Sequence, residues 1–477
     1  MFDEEDNEED EGLFDARFKQ ELERFEEMLT EKTAYYFDAE ILEQIIEHFI
    51  IQNQLKKGLK AANFGKKQHP SNSVFDLRKA QILSTIGQLK ESLLILQTLE
   101  KSEPYNPEIF ITKASVFSQL RDHSKAIKYF EKAIEISEEF NYLEELEEIR
   151  FDLAMEYESI NNFQKAIKVL DEILANNAEN EAAIYEIAYC YERIGNFDKC
   201  IEYYTRYIDN NPYSFTAWYN LGNIYFLKEN LEKAIWAYDY SIIINEDFAS
   251  AHFNLANIYM QMNDYENALI AYQRCAEIDT NDALTLSYLG EAYERLERYD
   301  EALDCYQRSK ELNPEIAEPW LGIGIIFELQ GNIPQALGFL EQAVLLQPDN
   351  ANFRLVYGET LFKAMRLTEA ESELERAVQL DPEYGEAVVL LAKIKANFSL
   401  EDALDFILGL KNLYELDYEV RIMLVALFWQ LEKRIEALLL FKKEYLIEKD
   451  SAKTLFLYLP EAEEIPDFLK IIDTNND

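Results

Sequence analysis

Residues 217–238 read AWYNLGNIYFLKENLEKAIWAY, and the residue types of this stretch recur every 34 positions along much of the chain. Trp218, Leu221 and Tyr225 are large apolar residues at helical spacing, so they fall on one stripe of a helix. Gly222 is small, and two antiparallel helices approach closely only where side chains are small. The pattern therefore predicts an array of paired helices built on one repeated unit.

Copies of the unit extend in both directions from this stretch. An aromatic residue recurs at the position of Tyr225, and a small residue recurs at the position of Ala234. These positions hold Tyr157, Tyr191, Tyr259, Tyr293 and Phe327, and Ala166, Cys200, Ala268, Ala302, Ala336 and Ala370. Weaker copies start near Ala39, Ser73, Pro107, Gly385 and Tyr418. Together these copies predict about twelve helix pairs.

Short turns separate the helices. The pairs Gly195-Asn196, Asn263-Asp264 and Gly331-Asn332 are typical of the turn inside a unit. Proline separates one unit from the next, because it cannot continue a helix. The separating prolines are Pro104, Pro212, Pro314, Pro348 and Pro382. Around residues 137–146 the interval stretches to 40 residues, which fits either a longer helix or a hinge. The segment lacks glycine and proline, so we expect a longer helix.

These residues resemble the tetratricopeptide repeat family, and the stretch 217–238 is close to that family's consensus. The resemblance covers nearly the whole chain. It implies an all-α fold, namely an α-solenoid that forms a right-handed superhelix of about twelve helix–turn–helix repeats with capping helices. The layout is also similar to that of the long cytoplasmic tetratricopeptide proteins of Bacteroidetes-type bacteria.

The two ends differ from the repeats. Residues 2–12 hold eight carboxylates, so we expect an acidic disordered tail over residues 1–13. Apolar residues at helical spacing predict an N-terminal capping helix within residues 14–38. The repeats then occupy residues 39–450. Residues 451–477 form a C-terminal capping segment, because the last unit of a stacked array must cover an exposed face.

The chain is strongly acidic, with 46 basic and 91 acidic side chains and a net charge of −45. Phosphate backbones and anionic membranes repel such a surface, so we expect neither nucleic acid nor a membrane as partner. A basic protein or peptide would be attracted. The charge also has a simpler explanation, which is the solubility of long helical surfaces.

One segment runs against this charge. Residues 55–67, LKKGLKAANFGKK, gather five lysines: Lys56, Lys57, Lys60, Lys66 and Lys67. Such a run is usually a solvated helix face. An alternative is that it binds the acidic tail of the same chain.

The N-terminal sequence lacks the pattern of a secretory signal, and no apolar run is long enough to span a membrane, so we expect a cytoplasmic location. The four cysteines, Cys190, Cys200, Cys275 and Cys305, stand inside helices at positions of small apolar residues. We expect them to be core fillers and neither disulfides nor metal ligands.

Few residues point to catalysis. The four histidines are scattered over four units, and no spacing of histidine, cysteine or carboxylate is typical of a metal site. The chain has neither a phosphate-binding glycine loop nor a nucleophile elbow. We therefore predict a protein that is not an enzyme and that uses no cofactor and no metal.

Protein binding remains as the expected function. The family resemblance implies that the first helix of each unit lines the concave face of the superhelix. On these helices four successive units carry an aromatic residue at one position, and asparagines follow in two of them. The expected peptide-binding residues are Phe151, Tyr185, Tyr189, Tyr219, Asn220, Asn223, Phe253, Asn254 and Asn257. The alternative is that these residues merely follow the repeat consensus.

Binding of chaperone C-termini is disfavoured. Family members of the carboxylate-clamp type need lysine or arginine where this chain has Tyr219, Leu284 and Tyr288. We therefore predict an adaptor or scaffold that binds an extended protein segment, basic or neutral in charge. Two alternatives stay open: a self-assembling structural protein, with weak self-association, or a regulatory subunit of a separately encoded enzyme.

Overall fold

The computed structural model describes residues 17–30, 35–142, 145–410 and 417–474, and in these ranges every regular element is a helix. The expected acidic tail and its suggested contact with the lysines of residues 55–67 fall outside the described residues. The chain divides into two compact units, residues 1–234 and 235–477.

The first unit holds α1 (17–30), α2 (Ala39–Ile51), α3 (Leu55–Gln68), α4 (Val74–Thr85), α5 (Leu89–Ser102), α6 (Pro107–Gln119), α7 (His123–Glu139), α8 (Leu146–Ser159), α9 (Phe163–Asn176), α10 (Glu181–Arg193), α11 (Phe197–Asn210) and α12 (Phe215–Leu227). Helix α13 (Leu231–Ile244) crosses the division.

The second unit continues with α14 (Ala249–Gln261), α15 (Tyr265–Ile278), α16 (Ala283–Arg295), α17 (Tyr299–Leu312), α18 (Glu318–Leu329), α19 (Ile333–Leu346), α20 (Ala351–Lys363), α21 (Leu367–Leu380), α22 (Gly385–Phe398), α23 (Leu400–Gly409), α24 (Tyr418–Gln430), α25 (Arg434–Ile447), α26 (Ser451–Tyr458), a 3₁₀ helix (Pro460–Glu464) and α27 (Pro466–Thr474).

Helices α2 to α25 form twelve successive pairs in the described part of the chain, which is the number that the sequence predicts. Within each unit of the structure the helices pack on their neighbours in chain order, so each unit is an all-α solenoid, as predicted. The separating prolines all lie in turns between pairs, and Pro334 stands in the first turn of α19, where proline is tolerated.

A left-handed residue closes the turn inside nearly every pair. Gly195 has φ +74°, and the next amide, that of Asn196, donates to the carbonyl oxygen of Tyr191 at 2.8 Å. This arrangement ends the first helix and turns the chain back into the second. Residues with positive φ recur every 34 positions at Asn161, Gly195, Glu229, Asn263, Glu297, Gly331 and Met365. The predicted turns are therefore confirmed.

Small residues opposite aromatic rings define the core. The small residues that recur in the sequence at the position of Ala234 are fully buried. Tyr238, Tyr272 and Tyr306 on the second helices are also fully or almost fully buried. The four cysteines are buried and free of disulfides, as expected. Burial raises the pKa of the Cys200 thiol to about 12, so this thiol stays protonated and packs as a small apolar group.

Both ends close on aromatic clusters. In α1, Phe25 is fully buried and its ring lies 5.8 Å from that of Phe37 and 6.1 Å from that of Phe49. At the other end, Phe468 of α27 is fully buried, with its ring 4.6 Å from that of Trp429. The capping roles expected for the two end segments stay a prediction.

The irregular interval holds only a short extension of a helix. Helix α7 has 17 residues where most second helices have 14, but it ends at Glu139. Asn141 then adopts φ +61°, and α8 begins at Leu146. The expectation of a longer helix across residues 137–146 is right for three residues and wrong for the described remainder, because a left-handed residue interrupts the helix.

Candidate functional site

The nine predicted peptide-binding residues all lie on first helices of successive pairs. Phe151 belongs to α8, Tyr185 and Tyr189 to α10, and α12 and α14 carry the rest. The aromatic residue is the fifth residue of α10, α12 and α14 alike. Phe253, Asn254 and Asn257 belong to the second unit, and the other six residues belong to the first.

Phe151 is half-buried and packs against the apolar core of the first unit. Its neighbour Asp152 has a raised pKa, first because burial removes water and second because Glu148 and Glu156 repel its charge. The surface beside Phe151 is therefore both partly apolar and negative.

Tyr185 connects α10 with the start of α12. Its hydroxyl donates to a carboxylate oxygen of Glu181 at 2.5 Å and lies 2.7 Å from the hydroxyl oxygen of Thr216. Its ring contacts those of Tyr204 and Tyr207. Burial, followed by the Glu181 carboxylate, raises the pKa of Tyr185 to about 12, so the phenol stays neutral. This residue is held in place by contacts within the chain.

Tyr189 is the most accessible of the nine, with 40% of its surface exposed. Its hydroxyl accepts a hydrogen bond from Nη1 of Arg193 at 2.9 Å, and the same guanidinium lies 5.7 Å from the ring centroid. The ring meets that of Phe163 edge to face at 6.4 Å. A preorganised aromatic side chain of this kind offers apolar area to a ligand at low entropic cost.

Helix α12 adds Tyr219, Asn220 and Asn223, which are all half-buried. The half-buried side chain of Asn220 makes no hydrogen bond to another described side chain or backbone group. Asparagine amides can pair with a peptide backbone in both directions.

In the second unit the predicted residues also serve the core. Phe253 meets Tyr272 and Tyr288 edge to face at 5.7 and 5.4 Å. The Asn257 amide oxygen accepts a hydrogen bond from the buried Tyr272 hydroxyl at 2.5 Å, and Nδ2 of Asn254 lies 3.4 Å from the hydroxyl oxygen of Tyr238. Part of the asparagine pattern on α14 is thus explained by these internal contacts.

A cleft that the repeat pattern does not predict lies beside the α5–α6 turn and the described residues between α7 and α8. It has a volume of about 780 Å³ and is lined by Tyr105, Tyr142, Glu103 and Glu145, among others. The sequence feature that could have indicated this cleft is the 40-residue interval. The structure has the same spacing, since the left-handed residues Arg121 and Asn161 are 40 positions apart, where other such residues are 34 apart.

Two features are absent from the described residues. No group of three histidine, cysteine or carboxylate side chains could hold a metal ion. Within the same ranges, no helix has the length and hydropathy that a membrane crossing requires.

Family models described as tetratricopeptide repeat match residues 107–140, 151–215, 203–235, 247–315, 281–347 and 329–394, and one described as TPR repeat matches 222–263. Together these spans cover more than half of the chain. Over 79 residues the chain is 39% identical to anaphase-promoting complex subunit 3 of Schizosaccharomyces pombe, a match that covers 16% of this chain and only 12% of that protein.

Solved structures with likeness to the chain include MamA, at 21% identity and a TM-score of 0.33, with 35% of this chain and 97% of that chain covered. YrrB, described as a TPR protein with an unusual peptide-binding site, matches at 22% identity and a TM-score of 0.33, over 39% of this chain and 95% of its own. PilF of Pseudomonas aeruginosa matches at 22% identity and a TM-score of 0.38, over 42% of this chain and 91% of its own.

Proposed function

This chain is a tetratricopeptide repeat protein, and on that basis we propose that it is a non-catalytic adaptor or scaffold that holds partner proteins. Its first helices bind an extended protein segment of basic or neutral charge. The cytoplasmic location expected from the sequence stays a prediction.

The proposal rests on one observation, which is that an aromatic side chain recurs at the same position of successive first helices. The fifth residue of α10 and of α12 is a half-buried tyrosine, and exposed or half-buried polar and aromatic side chains follow on the same helices. The fifth residue of α14, in the second unit, is likewise a half-buried phenylalanine. Repeated aromatic and amide groups suit a ligand that is itself repetitive, such as an extended backbone.

Each group has a defined part in this binding mode. The Tyr189 ring gives apolar contact area for a partner side chain. The Asn220 amide donates to and accepts from the partner backbone. The chain's charge of −45 draws a basic segment in and speeds the encounter, and this attraction weakens as salt is added.

We would test the proposal with the paired variant Tyr189→Ala/Asn220→Ala. Both side chains are at least partly exposed, so the fold should survive their removal. The matched control is Tyr213→Ala/Asn210→Ala, which removes the same residue types from two exposed positions, one in the α11–α12 turn and one at the end of α11. We expect affinity capture from host lysate, read by mass spectrometry, to lose specific proteins with the first variant only. Identical captured sets from wild type and both variants would contradict the proposal.

Self-assembly is a second candidate, and a specific feature of α25 favours it. Ile435, Leu439 and Leu446 are exposed and lie along one side of this helix. An exposed aliphatic stripe is uncommon on a monomeric protein and often marks an interface. Light scattering over a concentration series should show mass growth for wild type and none for Ile435→Ser/Leu439→Ser. A constant monomer mass for wild type would eliminate this candidate.

A further inference from the structure

Helix α3 carries a charge opposite to that of the whole chain. Its sequence, LKKGLKAANFGKKQ, holds five lysines and no carboxylate. Three of these lysines, Lys56, Lys60 and Lys67, are exposed, and together with the exposed Asn63 they share one side of the helix. We call this row of four residues the α3 stripe. At 1.5 Å of rise per residue it is roughly 17 Å long.

The other two lysines of α3 are paired within the chain. The ammonium of Lys57 lies 2.6 Å from a carboxylate oxygen of Glu26 in α1, and that of Lys66 lies 2.7 Å from a carboxylate oxygen of Asp76 in α4. Both pairs join α3 to a neighbouring helix, so these lysines do not belong to the stripe.

The lysines of the stripe lack such pairs. Among the residues that the structure describes, no carboxylate oxygen lies within 4.0 Å of the ammonium of Lys56, Lys60 or Lys67. Lys56 and Lys60 are four residues apart, a spacing at which like charges repel on a helix. Lys56 also stands in the first turn of α3, where the helix dipole disfavours a cation. A row of anions over this side of α3 would offset both effects.

The same chain holds a segment of matching charge. Residues 2–12, FDEEDNEEDEG, contain eight carboxylates and no basic residue. These carboxylates all fall within residues 3–11, outside the described part of the chain. Eight negative charges are more than enough to neutralise the three lysines of the stripe.

The acidic segment is close enough along the chain to reach the stripe. Phe18, in the first turn of α1, has its ring 5.7 Å from that of His48 in α2. Helix α2 is the partner of α3, and the axes of packed helices lie about 8–10 Å apart. An extended chain advances about 3.3 Å per residue, so Glu11 and Asp3 lie up to roughly 20 and 46 Å from Arg17. Such a tether gives an effective concentration in the millimolar range, which offsets the weakness of single exposed ion pairs.

We propose that the α3 stripe is a docking surface for an acidic segment and that residues 3–11 of the same chain occupy it. The three ammonium groups pair with carboxylates of the segment, and no single register is required because the carboxylates are almost continuous. An acidic partner must displace this segment before it can bind α3. The surface uses none of the nine first-helix residues, so it goes beyond the function proposed above.

Lysine acetylation by an N-hydroxysuccinimide ester tests the proposal residue by residue. Wild type would be compared with a full-length variant in which the eight carboxylates become amides. The changes are Asp3→Asn, Glu4→Gln, Glu5→Gln, Asp6→Asn, Glu8→Gln, Glu9→Gln, Asp10→Asn and Glu11→Gln. At 0.05 M salt we expect the three lysines of the stripe to react at least about twofold more slowly in wild type, because ion pairing shields their amines. Three exposed lysines of α5 and α7 should react equally in both proteins: Lys90, Lys101 and Lys128.

A carbodiimide joins a carboxylate directly to an amine in contact with it, and therefore identifies the occupant of the stripe. Wild type would be mixed with isotope-labelled wild type before the reaction, and the linked peptides would be read by mass spectrometry. We expect residues 3–11 to link to the stripe within one chain, with a yield that falls as salt is raised to 0.5 M. Links that join labelled and unlabelled peptides in statistical proportion would assign the stripe to a second copy and overturn the proposal.

Cleavage of residues 3–11 by a glutamate-specific protease gives a reading that does not depend on lysine chemistry. Lys56→Gln/Lys60→Gln/Lys67→Gln should raise the initial rate of this cleavage at least about twofold, because the segment is released. The matched control, Lys90→Gln/Lys101→Gln/Lys128→Gln, removes the same charge and should leave the rate unchanged. Equal rates for both variants, or equal acetylation of the stripe in wild type and the amide variant, would overturn the proposal and leave the stripe a solvated helix face.

Discussion

At the scale of single residues, the repeat depends on close approach between helices. An added Cβ at Gly290 of α16 would lie 2.7 Å from ring atoms of Tyr306, which is itself buried. Such a distance forces the ring or a helix to move. Glycine at this position is therefore a packing requirement, and the two glycines of α18, Gly322 and Gly324, have the same explanation.

We expect Gly290→Ala to destabilise the protein by about 1–3 kcal/mol, because the buried ring of Tyr306 cannot move away without strain. The control is Gly338→Ala in α19, where an added Cβ meets no atom within 4 Å. That change should stabilise by up to about 1 kcal/mol through helix propensity. Thermal unfolding followed by circular dichroism gives both values. A Gly290→Ala variant with the same stability as wild type would refute the packing argument.

Glu158 provides a pH-dependent test. Burial raises the pKa of its carboxyl to about 7, although the Cys190 thiol donates to it at 3.3 Å. A carboxyl with a folded pKa above its unfolded pKa holds its proton more tightly when folded. Its stabilising contribution is therefore complete below the unfolded value near 4.5 and is lost as the pH rises through about 7.

We accordingly expect Glu158→Gln, which cannot ionise, to have a higher melting temperature than wild type at pH 8. The difference should shrink as the pH falls towards 5, because the wild-type carboxyl then carries its proton in the folded state. Melting temperatures across this range provide the measurement. A difference that stays constant with pH would show that ionisation of Glu158 is not the cause.

The candidate site could be predicted only in part at this scale. The repeat frame correctly assigns all nine residues to first helices, because the frame fixes helix position. It gives no information on internal partners, so the hydrogen bond between Asn257 and the Tyr272 hydroxyl was not foreseen. The cluster of Tyr105, Phe140 and Tyr142 was missed because it depends on contacts between two turns.

At the scale of elements, one backbone conformation joins the two helices of nearly every pair. The left-handed residue is glycine in some pairs, as at Gly331, and a residue with a side chain in others, as at Met365. Non-glycine residues pay a conformational cost there, so the pairs differ in how well their sequence suits the shared turn.

We expect Gly331→Ala to cost about 1 kcal/mol and Met365→Gly to gain up to about 1 kcal/mol. Both positions have left-handed backbone, no atom lies within 4 Å of the Cβ added at Gly331, and Met365 is largely exposed. Packing therefore contributes little to either change. Shifts of the urea midpoint of the same sign for both variants would contradict the role of the turn.

The helices themselves were predictable because their spacing is periodic and their turns carry glycine, asparagine and proline. The break in the helix within residues 137–146 was not predictable, since helix propensity alone favours continuation of α7 there. The observed turn at Asn141 is accompanied by a contact of the Phe140 ring with that of Tyr105, which lies in the α5–α6 turn and outside the local sequence. Tertiary contacts thus override propensity at this one interval.

Capping is tested by Phe25→Ala in α1. The buried ring contacts three other phenylalanines, so its loss should remove about 3–5 kcal/mol of local stability. In a repeat array the effect should stay local, and hydrogen exchange should rise in α2 and α3 and not in α24 and α25. Uniform acceleration along the whole chain would show global cooperativity.

At the scale of the whole molecule, the dominant property is a net charge of −45. Many surface carboxylates have no cation to balance them, so self-repulsion lowers the stability of the folded chain. The same charge favours basic partners and makes their binding sensitive to salt.

We expect sodium chloride, raised from 0.05 to 0.5 M, to increase the melting temperature by screening this repulsion and to weaken capture of basic partners. A potassium sulfate series at matched ionic strength separates screening from ion-specific effects. If the melting temperature falls with both salts, surface ion pairs contribute more to stability than net repulsion removes.

The central claim is that the first helices bind a partner segment, and photocrosslinking tests it most directly. A photoreactive amino acid would replace Tyr189 on α10 and, in a matched protein, Tyr213 in the exposed turn beyond α11. We expect a covalent adduct with a discrete partner from lysate at position 189 only, and the yield of this adduct should fall with salt. A partner that is captured by both proteins yet never crosslinks at position 189 would contradict the claim.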